Sequence, residues 1–183
     1  MPPFTSTRER RLWLSTVAVV AAIYATLGLA GRLASTLQEA GLMSAFFALG
    51  MVLIGVAIVV QGLQSRPGSA EIAVALGIAT VYFMVFVRMG SPEERTHLIE
   101  YGIVALLIHA ALNERAIRGP HLPTPAALAV TIASFLGVLD ELIQALLPTR
   151  VFDPRDILFN TLAAILAVSA IKVLRGASQR AGN

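Results

Sequence analysis

PAALAVTIASFLGVLDELIQALL, residues 125–147, decides the fold: it is uncharged from Pro125 to Leu139 and then carries Asp140, Glu141 and Gln144. A run this long and apolar crosses a bilayer as an α-helix, which needs about 20 residues at ~1.5 Å of rise each. Charge in such a run needs a reason, because an Asp or Arg near the middle of a membrane helix costs roughly 2.5 to 3.5 kcal/mol on insertion scales. The same mixture recurs on either side. Glu93-Glu94-Arg95-Thr96-His97-x-x-Glu100-Tyr101 opens one apolar segment, and Pro148-x-Arg150-x-x-Asp153-x-x-Asp156-x-x-x-Asn160 leads into another.

The rest of the chain agrees with that reading. Its 183 residues are 56% hydrophobic and only 14% charged, with a mean hydropathy of +0.76, whereas soluble domains average about 25% charged residues. Apolar segments run over Leu12–Ala30, Leu42–Val60, Ile72–Val87, His97–Leu112, Pro125–Leu147 and Ile157–Leu174. The expected fold is therefore an all-α membrane protein, a bundle of about six transmembrane helices with short loops. Breakers separate the segments: Gly31 and Gly41, Arg66-Pro67-Gly68-Ser69, Gly90-Ser91-Pro92, Gly119-Pro120-His121-Leu122-Pro123, then Pro148 and Pro154. Ser91-Pro92-Glu93-Glu94 and Asp153-Pro154-Arg155-Asp156 read as helix starts, with proline first and acids where the helix dipole favours them. Arg8-Glu9-Arg10-Arg11 before an apolar stretch imitates a secretory signal, but the stretch exceeds the usual 7 to 15 residues (approximately) and more spans follow. An uncleaved first helix is expected.

Net charge is +3, yet the basic residues stand singly at segment ends, as topology signals do, so no nucleic-acid partner is expected. The absence of cysteine excludes disulfides, cysteine zinc sites and thiolate nucleophiles. With six spans, Arg8, Arg10, Arg11, Arg66, Arg115, Arg118, Lys172, Arg175 and Arg180 fall on the side of the N-terminus. Arg32, Arg88, Arg95, Arg150 and Arg155 fall opposite. This bias predicts a cell-membrane protein with both termini cytoplasmic and its polar motifs facing outward.

Three polar helix ends then meet on one side. Asp140 and Gln144 share a face, as do Asp156 and Asn160, while Glu141 is turned about 100° from Asp140. His97 lies under the stripe of Glu100 and Tyr101, with Glu100 about 4.5 Å deeper along the axis. Convergent faces predict a pocket in the outer leaflet.

His97-x-x-Glu100-Tyr101-Gly102 followed by Asp140-Glu141-x-x-Gln144-x-x-x-Pro148-x-Arg150-x-x-Asp153-x-x-Asp156-x-x-x-Asn160 resembles the VanZ-like family of membrane proteins. The second string is the specific one, and the resemblance covers roughly Ile72 to Leu174. One departure is Ala163, where the family often has glycine; alanine still permits close helix approach. The resemblance implies a division into an N-terminal helix pair over 1–70, a VanZ-like four-helix core over 71–175 and a polar cytoplasmic tail over 176–183. It implies a phenotype class, resistance to glycopeptides such as the lipid-bearing teicoplanin, and not a reaction.

Each residue has a plain reading beside the functional one. Arg95 and Arg150 offer planar donor forks to phosphate or carboxylate, or snorkel to headgroups; for Arg155 a solvated role is expected. Asp140, Glu141 and Gln144 are acid/base groups, or satisfy one another and nearby helix ends. His97-x-x-Glu100 has a spacing at which one helix offers two metal ligands, but no other segment of the cluster supplies a second His, so neither metal nor cofactor is expected. His97 is expected to donate to a carboxylate, His109 to be packed or interfacial, and His121 to be solvated. Ser134 and Thr131 read as hydroxyls bonded within the bundle; Ala163, Ala167 and Ala170 as a packing stripe; Trp13 as an interfacial anchor and Tyr24 as a packing residue.

Two functions follow. As a binding protein, the pocket takes a membrane lipid or lipid-linked cell-wall precursor on Arg95, Glu100, Tyr101, Gln144, Arg150, Asp153, Asp156 and Asn160. As an intramembrane enzyme, Glu141 or Asp140 serves as general acid/base with His97 as partner and Arg150 stabilising charge. Binding is the preferred expectation because no nucleophile, metal set or cofactor motif is present. A proton-coupled carrier fits least, since such proteins place their sites near the midplane on broken helices.

Overall fold

The computed structural model describes residues 4–42, 68–88, 92–119, 124–148 and 152–181. Among them are five α-helices and no strand: α1 (Thr7–Glu39), α2 (Ser69–Arg88), α3 (Pro92–Arg118), α4 (Pro125–Ala145) and α5 (Pro154–Ala181). All five are long and apolar enough to cross a membrane. Of the remaining expected span, Leu42–Val60, all but its first residue lies outside the described residues.

Local chemistry explains most of the boundaries. α3, α4 and α5 each begin on a proline, whose missing N–H and fixed φ suit the first helical position. Asp153 caps α5, its carboxylate accepting from the Arg155 N–H at 2.8 Å. α1 differs from expectation at Gly31, which lies inside the helix instead of ending it. A single interior glycine costs only about 1 kcal/mol, and Ala30, Arg32, Leu33 and Ala34 around it all favour helix. α5 likewise continues beyond Leu174 to Ala181.

α3 is the central helix, with α1, α4 and α5 packed around it, while α2 lies against the outside of α5. The main core joins Ile23 of α1, Val104, Ala105, Ile108 and Leu112 of α3, Ala129 and Ala133 of α4, and Ala164 and Val168 of α5. Small residues set the spacing: a Cβ on Gly102 would lie 3.8 Å from that of Ala167, an ordinary contact, and Ala163 is fully buried. Close backbone approach is how membrane helices gain packing without a hydrophobic drive between them. Tyr82 and Val85 bring α2 onto Leu98, Tyr101 and Ala163. The rest of α2 presents Leu76, Phe83, Met84 and Val87 outward, the apolar exterior that a lipid-facing helix needs.

Candidate functional site

The first turns of α3, the end of α4 and the first turns of α5 come together and enclose polar side chains. Asp140, Glu141 and Asn160 are fully buried, and His97 and Gln144 nearly so. His97 stands between two helices: its Nδ1 is 3.8 Å from Asp140 Oδ2 on α4, and its Nε2 is 3.6 Å from Asp156 Oδ2 on α5. Both distances exceed hydrogen-bond length, so they are charge pairings at most. Gln144 donates to Asp140 Oδ2 at 3.3 Å, one turn along α4. Glu141 Oε2 accepts the Asp153 N–H at 3.1 Å, so a side chain of α4 ties down the start of α5.

Satisfaction is incomplete. Among the described residues, Glu141 Oε1, His97 Nδ1, Asp156 Oδ1 and both amide atoms of Asn160 are buried without a hydrogen-bond partner. Buried polar groups in native proteins are paired in the great majority of cases, so each exception calls for a physical cause. One donor atom each from His97, Glu141 and Asp156 lie within 4.8 Å of one another. That trio spans three helices and leaves out Glu100, the residue paired with His97 by sequence spacing.

The other expected site residues are placed as follows. Tyr101 is buried beside His97, ring centroids 6.2 Å apart, and its hydroxyl donates to the Leu136 carbonyl at 3.3 Å. Glu100, Asp153 and Asp156 are half-buried, and Arg155 is exposed. Arg95 lies in the first turn of α3, but its side chain, like all of Arg150 and His121, lies outside the described residues. His109 is buried near the opposite end of α3 and hydrogen-bonded to Asn113. Thr131 is exposed, and the Ser134 hydroxyl is buried without a partner, which nothing in the structure explains.

Two features had not been anticipated from sequence. Tyr24 of α1 reaches the site's border, donating to the same Leu136 carbonyl at 2.8 Å. A second polar cluster occupies the far end of α3, about 25 Å from His97 by helix rise. There fully buried Glu9 accepts from Arg115 Nε at 2.7 Å and from the backbone and hydroxyl of Thr5 at 2.6 and 2.8 Å. Glu114 pairs with Arg118 at 2.7 Å and accepts from Ser6 at 2.9 Å. The available signal was Glu9 and Glu114 standing among basic residues assigned to one side of the membrane.

The acidic and amide residues gathered at this helix junction are those of the long motif over residues 140–160. The VanZ/LLP1 family model matches residues 19–175. The chain belongs to the VanZ/LLP1 family. The match extends N-terminally beyond the motif-bearing region into α1, the helix that supplies Tyr24. No curated protein and no solved structure matches the chain. Membership in the VanZ/LLP1 family agrees with five candidate membrane-crossing helices and suggests a link to antibiotic resistance.

Proposed function

We propose that the buried polar cluster of this VanZ/LLP1 protein receives the headgroup of a membrane lipid or lipid-linked cell-wall precursor in the outer leaflet, contributing to glycopeptide resistance or to envelope function. The observation that carries this reading is the burial of Glu141 and Asn160 with polar atoms that no described residue satisfies. Such atoms are costly in an apolar setting, and a headgroup offers what they lack. Its hydroxyls and amines donate to carboxylates, and its phosphate oxygens accept from guanidinium forks such as those of Arg95 and Arg150. The excess of basic residues on the opposite side supports a cytoplasmic location for both termini and an outward-facing site.

Native mass spectrometry of the full chain, purified in mild detergent from its own membrane, tests the reading. The parent is expected to retain a lipid-linked species, and folded Glu141→Gln and Asp140→Asn variants to lose it. Equal retention by both variants would end it. The position of His97 between two carboxylates favours one second reading, acid/base modification of the headgroup. Lipid extracts should then contain an altered headgroup in parent cells and not in Glu141→Gln cells.

A further inference from the structure

The geometry points to a divalent transition-metal site formed by His97, Glu141 and Asp156, with Asp140 orienting the histidine. Three donor atoms from three helices already lie within 4.8 Å of one another. A tetrahedral zinc ion with ligands at about 2.0 to 2.2 Å needs them about 3.3 Å apart. Binding therefore requires the donors to close by up to about 1.5 Å, a change on the scale of side-chain torsions.

Beside the clustering, one oxygen of each carboxylate is uncommitted. Glu141 is fully buried and its Oε1 has no hydrogen-bond partner; Asp156 Oδ1 has none either. Among the described residues Glu141 makes no ion pair, and Asp156 pairs with His97 and with no Lys or Arg. An ion answers both deficits together, giving the orphaned oxygen a partner and the buried negative charge a counter-charge.

The histidine faces a carboxylate with each ring nitrogen, both at more than hydrogen-bond length. Nε2 faces Asp156, where the ion would sit, and Nδ1 faces Asp140 at 3.8 Å. A carboxylate behind the second ring nitrogen fixes the tautomer and ring orientation of metal-bound histidines and raises their basicity. One imidazole nitrogen with two carboxylate oxygens suits Zn²⁺ or Mn²⁺ better than Ca²⁺ or Mg²⁺, which favour all-oxygen shells. Three protein donors leave a further position for water or an anionic oxygen. The inference stands on donor geometry and does not depend on the headgroup reading.

Metal content measures it directly. The full chain in detergent is stripped with chelator, exposed to ZnCl₂ or MnCl₂, washed and assayed by inductively coupled plasma mass spectrometry alongside thermal melts. The parent is expected to hold close to one equivalent of Zn²⁺ or Mn²⁺ and to melt higher with it. Glu141→Gln and His97→Gln should weaken binding at least tenfold and lose the melting shift. His109→Gln, at the other buried histidine among the described residues, should bind as the parent does. Asp156→Asn, at the half-buried rim, serves the same purpose should either of the more deeply buried variants misfold. A stripped parent that takes up neither ion, or Glu141→Gln and Asp156→Asn variants that bind like the parent, would overturn the site. So would loss of binding in His109→Gln equal to that in His97→Gln.

Discussion

A Cβ built on Gly137 would stand 2.7 Å from the Cβ of Asn160 and 3.0 Å from its amide nitrogen. α4 and α5 therefore meet at a point where only glycine fits, about one helical turn from Asp140 and Asp156. Gly137→Ala is expected to destabilise the bundle by about 1 to 3 kcal/mol, the usual range for overpacking, read as a lower melting temperature in detergent. Asn160→Ala keeps the offending Cβ and should not rescue it, whereas Asn160→Gly should. An unchanged melt for Gly137→Ala would mean that the helices stand farther apart.

The Glu9–Arg115 pair fastens the start of α1 to the end of α3. Glu9 is fully buried and Arg115 only partly exposed, so Arg115→Ala leaves a buried carboxylate short of its cation and should cost about 1 to 2 kcal/mol. Arg8, 73% exposed and 3.4 Å from Glu114, makes the kind of surface pair that contributes about 0 to 1 kcal/mol. Melts of the two alanine variants should rank in that order. Adding Glu9→Gln to Arg115→Ala should recover part of the loss, because the uncompensated charge is gone; no recovery would argue against the pairing.

Tyr24 and Tyr101 approach one carbonyl, that of Leu136, from different helices. Tyr24→Phe removes the shorter bond and is expected to cost about 0.5 to 1.5 kcal/mol. A double-mutant cycle with Tyr101→Phe should give a coupling energy distinct from zero, since the two hydroxyls share an acceptor. Strict additivity would contradict that arrangement.

The absence of native cysteine makes orientation directly measurable. Phe152, exposed before α5, and Thr124, exposed before α4, are expected on opposite sides of the membrane. A membrane-impermeant maleimide should label Phe152→Cys in intact cells and Thr124→Cys only after permeabilisation. The reverse pattern would place the polar cluster in the cytoplasmic leaflet.

The sequence disclosed helix ends far better than helix neighbours. Pro92, Pro125 and Pro154 announce three starts because proline acts locally, and Asp140 with Gln144 share a face because helical geometry is local too. Glu141 shows where this stops. Its rotation of about 100° from Asp140 suggests a different environment, yet both are buried, because α3 lies on one side of α4 and α5 on the other. Glu9 is harder still: it looks like part of a basic topology signal, while its partner Arg115 is 106 residues away. No periodicity reports such a pairing. Gly31 misleads in the opposite direction, since a residue that favours turns remains helical when its neighbours are strong helix formers.

The central position of α3 bears on how the protein is made. Among α2 to α5 it is the least apolar candidate span and the most enclosed, with His97 and Glu100 near one end and Glu114 near the other. α4 and α5, which bury His97, follow it in the chain and emerge from the ribosome later. During synthesis α3 is a poor lodger in lipid until its successors arrive, so its entry into the bilayer should be helped by the downstream helices and not completed alone.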